Sequence, residues 1–187
     1  MKRVVLVILC CLCLSMSFAQ DISKVERIQF RLNFFTPGAE IEFGVTNNST
    51  ALLNAGFLWG IGSSESVNGT TETNFALLPI IDAQYRYYYN LNSRKEKGKN
   101  TSKNSGNFIA LKGTYYFTES FLETLEGDEE NLVVDESDLS SIGIVYGIQR
   151  TYFDWLHMGL EGGIGYVQTD TDGTILPILS FTIGYSF

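Results

Sequence analysis

Cysteine is almost missing from this 187-residue chain: the only three, Cys10, Cys11 and Cys13, crowd into its first residues. If that segment is removed, no disulfide, thiolate nucleophile or cysteine metal site remains. Histidine occurs once, as His157, which leaves little material for a general base. Bases are scarce too. Thirteen Lys and Arg stand against 21 Asp and Glu, a net charge of −8, which makes nucleic acid a poor partner. Beyond the first twenty residues no apolar run approaches the roughly 20 residues that a membrane-crossing helix needs. Helical 3.6-residue periodicity is absent as well.

The first residues read as a signal peptide. Lys2 and Arg3 precede the apolar stretch 4–14, and Ser17-Phe18-Ala19 places small residues at −3 and −1 of a cleavage site. Residues 1–19 are therefore expected to be removed, with 20–187 as one domain. None of the cysteines follows the small residues that a lipid-attachment site requires.

What is abundant is alternation. Eight segments, approximately 27–35, 39–46, 51–62, 74–89, 107–117, 140–149, 155–167 and 174–187, follow the period of two expected of strands. One parity is apolar and uncharged throughout, as in Ile28, Phe30, Leu32 and Phe34, or Ile142, Ile144, Tyr146 and Ile148. The other carries ten glycines, hydroxyl and amide residues, and isolated charges: Arg31, Glu40, Glu42, Asp82, Arg86, Lys112 and Glu161. Leu58, Leu78, Ile80, Leu176 and Ile178 are apolar exceptions on that parity.

Alternation alone fits a soluble barrel with its apolar parity inside, or a transmembrane barrel with that parity facing lipid. Glycine on a water-facing strand weakens it to no advantage, whereas in a narrow eight-stranded lumen small residues leave room for long charged ones to cross. Four carboxylates against three bases is the near-balance that buried charges require. Aromatics also sit near the ends of the apolar stripes, as interfacial girdles do: Tyr85, Tyr87, Tyr89, Tyr185 and Phe187 at one end, Phe34, Phe117 and Tyr166 at the other. The expected fold is thus an all-β, eight-stranded antiparallel up-and-down transmembrane β-barrel, its lumen plugged by that charge network. Glu40 or Glu42 is expected to pair with Arg86 or Lys112.

The closing stretch 175–187 alternates apolar residues through Phe181, Ile183 and Tyr185 to a terminal Phe187. It resembles the C-terminal assembly signal of outer-membrane β-barrels, and the chain as a whole resembles small eight-stranded barrels of the OmpX and OmpA-transmembrane-domain type. The tyrosine-rich stretch 86–95 with 98–101 is similar to uncharacterised outer-membrane barrels of Bacteroidetes. The resemblance implies a Gram-negative outer-membrane location, with lipid, lipopolysaccharide and the barrel-assembly machinery as partners and no cofactor. It also implies that both ends face the periplasm. Residues 35–38, 63–73, 118–139 and 168–173 would then face outward, and 47–50, 90–106 and 150–154 the periplasm. The 90–106 connection is longer than the short turn usual there.

Several features have a chemical reading beside a plainer one. The acidic run within 118–139 (Glu119, Glu123, Glu126, Asp128, Glu129, Glu130, Asp135, Glu136 and Asp138) could gather cations, but lacks EF-hand spacing and reads first as a solvated loop. The bases Arg94, Lys95, Lys97, Lys99 and Lys103 could touch anionic headgroups or simply solubilise. Asp170-Thr171-Asp172-Gly173 is read as a hairpin turn before a calcium motif. His157 falls on the luminal parity, away from any recognisable Ser–His–acid set. The expectation is a non-enzymatic envelope barrel displaying an acidic loop, for envelope integrity or surface interaction. The alternatives are a lipid-modifying hydrolase or acyltransferase, and a narrow channel.

Overall fold

The computed structural model describes residues 24–65, 71–117, 139–168 and 172–187. Residues 1–19, expected as a leader, all nine acidic residues of the 118–139 run, and Asp170 and Thr171 of the expected turn lie outside them. Eight strands follow one another: β1 (Ile28–Asn33), β2 (Gly38–Gly44), β3 (Ser49–Glu65), β4 (Thr71–Tyr88), β5 (Asn107–Tyr116), β6 (Leu139–Tyr152), β7 (Leu156–Gln168) and β8 (Gly173–Ser186). Each pairs antiparallel with its sequence neighbours, and β8 returns to β1 to close an up-and-down barrel. All eight expected segments are strands. The main differences are lengths: β1 and β2 are shorter than expected, while β3 and β4 run on to Glu65 and from Thr71.

Parity decides the faces. The apolar set points outward, with Ile144 61%, Ile164 65% and Leu179 81% exposed, whereas Arg31, Glu42 and Arg86 are buried inside. A line of cross-strand partners from Arg31 passes through Glu40, Asn54, Asp82, Thr114, Ser141 and Val167 to Thr174. Closure joins Arg31 instead to Ser186, twelve residues further along β8. That stagger tilts the strands by about 45° to the barrel axis.

The inward glycines do not make room in the expected way. A Cβ on Gly163 would lie 2.1 Å from the Ile144 carbonyl oxygen, and one on Gly56 2.7 Å from that of Pro37. Gly147 is covered by the Phe108 ring, and Gly143 and Gly165 by Ile178 Cδ1. The vacated space thus goes to close backbone approach and to two apolar side chains rather than directly to the charges.

The end of the barrel that holds Lys24 and Phe187, the two ends of the described chain, is closed. Residues 90–106, expected as a plain connection, fold into a short helix α1 (Leu91–Glu96) and a 3-10 turn (Ser102–Asn104). Leu91 packs with Val25, Tyr88, Phe108, Ala110 and Val145 in a small apolar floor. Asn104 is fully buried; its side-chain oxygen accepts from the Glu26 amide at 2.7 Å. Gln149 Nε2 donates to the Lys103 and Asn104 carbonyls at 3.1 and 3.2 Å, and Lys103 Nζ to that of Ser186 at 2.8 Å. Such bonds supply backbone groups that no strand serves. Between β6 and β7, where Tyr152 pairs with Leu156 across three residues, Phe153 and Asp154 both have positive φ, as the centre of a tight turn requires.

Gly163→Ala should therefore destabilise the fold by about 1–3 kcal/mol, since the added methyl meets backbone. Gly162→Ala, on the outward face with nothing within 4 Å of the new methyl, should change stability little. Urea midpoints of the two refolded variants check the contrast.

Candidate functional site

Strand alternation brings all seven inward charges into one enclosed space. Arg31 lies directly opposite Glu40 on β2, and its two terminal nitrogens bind Glu40 and Glu42. Glu42 is wholly buried. Its Oε1 also accepts from the Thr50 hydroxyl at 2.5 Å and the Tyr88 hydroxyl at 2.8 Å. A carboxylate without water must fill its lone pairs in this way.

Arg86 on β4 holds the opposite side. Nη2 donates to Glu161 Oε1 at 2.8 Å, Nη1 to Gln149 Oε1 at 2.9 Å, and Nε to Gln84 Oε1 at 2.8 Å. Its guanidinium carbon sits 4.3 Å from the centre of the Phe108 ring, the ring admitted by the bare Gly147. A cation over an aromatic face gains most where water is excluded. Lys112 Nζ reaches the second oxygen of Glu161 at 2.9 Å. Arg86 Nη1 stands 4.0 Å from Glu42 Oε1 and so links the two clusters.

Of the expected pairings, Glu42 with Arg86 is met at that 4.0 Å, and the others are not among the described contacts. Glu40 pairs with Arg31, its cross-strand neighbour, and Lys112 takes Glu161; neither Glu40 nor Glu42 meets Lys112 among the described contacts. Asp82 meets amides instead of a base: Asn54 Nδ2 at 2.8 Å and Gln84 Nε2 at 3.3 Å. The polar members Thr50, Gln84, Tyr88 and Gln149 were not singled out in the sequence. Their signal was parity alone, since each shares the face of the charges.

His157 is buried on the luminal side, and its Nδ1 has no hydrogen-bond partner among the described residues. No group of three or more His, Cys, Asp or Glu suited to a metal occurs among the described residues. On β8, Phe181, Tyr185 and Phe187 face outward, and the Phe187 amide donates to the Phe30 carbonyl at 3.0 Å.

Glu161→Ala leaves Arg86 and Lys112 facing each other without their shared carboxylate. It should cost about 3–5 kcal/mol, and adding Lys112→Met should recover part of that loss. Exposed Lys95→Ala should stay within about 0.5 kcal/mol. Urea unfolding of the four refolded proteins gives the comparison. Set against known proteins, this chain matches no family model, no curated protein and no solved structure.

Proposed function

We propose that the chain is a non-enzymatic barrel of a Gram-negative outer membrane, held in lipid by its apolar outer face and plugged by its ion network. The observation that carries this reading is the inverted distribution of polarity. Ile28, Phe30, Leu53, Ile144, Ile164 and Leu179 are exposed, while Arg31, Glu42, Arg86 and Glu161 are buried. In water that arrangement would leave a large apolar surface exposed with nothing to cover it. In a bilayer the apolar face meets hydrocarbon, while pairing inside the lumen compensates the buried ions.

Aromatic placement supports the same reading. Tyr87, Tyr89, Tyr152, Phe153, Trp155, Tyr185 and Phe187 are exposed around the end holding Lys24 and Phe187, and Trp59, Phe117 and Tyr166 toward the far one. Rings with polar tips suit the two interfaces of a membrane. The resemblance to OmpX-type barrels gives the termini end a periplasmic position and makes Phe181, Ile183, Tyr185 and Phe187 the signal read by the assembly machinery. It also sets the acidic 118–139 segment outside the cell, available to lipopolysaccharide or to a surface partner. The plug argues against a channel. The termini end is closed twice over, by the ion pairs and by the folded 90–106 segment.

In cell fractionation the protein should sediment with membranes, resist carbonate or urea extraction, and migrate faster on gels when unboiled. Recovery as a folded monomer in buffer without detergent would contradict the reading. Planar bilayers should show no conductance above background; discrete steps would favour the narrow channel instead.

A further inference from the structure

The wall of the barrel is uneven. β1 and β2 have six and seven residues, against 17 and 18 in β3 and β4 and 14 in β8. At the tilt set by the stagger each residue climbs about 2.3 Å along the axis, so this hairpin climbs about 15 Å. The apolar band of a barrel in lipid is about 25 Å tall.

Backbone pairing records the shortfall. β8 meets β1 only from Gly184 to Ser186, flanked by bonds from the Phe34 amide to the Ile183 carbonyl and from the Phe187 amide to the Phe30 carbonyl. Among the described residues, Gly173–Thr182 pairs on its β7 side alone. β3 meets β2 only as far as Gly56, where the Phe57 amide bonds the Pro37 carbonyl. Among the described residues, the wall above the β1–β2 turn is therefore cut away between the edges of β3 and β8. Phe35 forms the sill. Its ring lies 5.2 Å from that of Trp59 and 5.5 Å from that of Phe181, and Trp59 Nε1 donates to the Phe35 carbonyl at 2.7 Å.

Behind the cut, the character of the lumen changes. Leu58, Leu78, Ile80, Leu176 and Ile178 are the apolar exceptions on the inward parity, and all lie in this upper half. Leu58 is paired with Leu78, Gly56 with Ile80, Gly163 with Ile178 and Gly165 with Leu176. Leu176 is 46% exposed although it belongs to the inward parity. Below, Asp82, Lys112 and Glu161 make a charged floor. An opening framed by unserved backbone groups and backed by aliphatic side chains suits an amphiphile: polar atoms for the frame, a hydrocarbon chain for the interior.

We propose that this cut is a lateral portal through which one acyl chain of a membrane lipid enters the upper lumen, its headgroup region hydrogen-bonded to the free edges of β3 and β8. The inference rests on the membrane reading above. It gives the five aliphatic exceptions a common purpose, and it makes the ion network the floor of a lipid site as well as a plug.

The test uses the full chain with Cys10→Ser, Cys11→Ser and Cys13→Ser, refolded into vesicles of phosphatidylcholine brominated on its acyl chains. A bimane label is placed at L176C, facing the upper lumen, or at L179C, facing outward. Bromine should quench both labels. Leu78→Arg should abolish quenching at L176C and leave that at L179C. An L176C label that stays bright while L179C is quenched would overturn the portal and leave the membrane reading standing. Quenching at L176C that survives Leu78→Arg would also overturn it, because the chain would then be touching the label from outside. Failure of both labels to quench would overturn the membrane reading and the portal with it.

Discussion

A carboxylate or guanidinium withdrawn from water is tolerated only if an opposite charge and enough hydrogen bonds meet it. The interior of this barrel is organised around that constraint. Glu42 illustrates it: one oxygen takes Arg31, and the other takes the hydroxyls of Thr50 and Tyr88. Those three partners come from β1, β3 and β4. Satisfying one buried acid thus ties several strands to a single register, because a one-residue slip would turn every partner to the outer face. Arg86 and Glu161 do the same for β4 and β7, with Phe108 of β5 beneath the guanidinium.

The network also explains why the lumen divides in two. Its polar lower half is sealed from the termini end by the 90–106 segment, whose Asn104 and Lys103 carbonyls occupy Gln149. Its upper half contains the aliphatic exceptions and opens where the first hairpin stops short. The nearly balanced charges therefore sit low in the lumen, where the wall of the barrel is complete. The incomplete part of the wall fronts apolar side chains, which lose least from contact with lipid.

Much of this was legible in the chain. Period-two alternation located all eight strands, and the placement of Arg31, Glu40, Glu42, Asp82, Arg86, Lys112 and Glu161 on one parity put them in one enclosure. Apart from Glu42 with Arg86, the pairing was not legible, since register depends on turn geometry and stagger, which alternation does not encode. Arg31 thus took Glu40 by lying opposite it, and Lys112 took Glu161 by reaching across. Tyr88 hid among Tyr85, Tyr87 and Tyr89, and only its parity distinguishes it. The folded 90–106 segment was obscured by its bases: Leu91 and Asn104 do the packing, while Arg94, Lys95 and Lys97 give the stretch the look of a solvated loop. The short first hairpin was hidden because its alternation continues past its hydrogen bonds.

The central claim is that the apolar parity faces hydrocarbon and the charged parity faces the lumen. Nitroxide scanning along β6 in lipid vesicles tests it most directly, one position at a time from Ile142 to Ile148. Collision with dissolved oxygen should rise and fall with a period of two, with maxima at Ile142, Ile144, Tyr146 and Ile148. Maxima at Gly143, Val145 and Gly147, or no oscillation at all, would contradict the account.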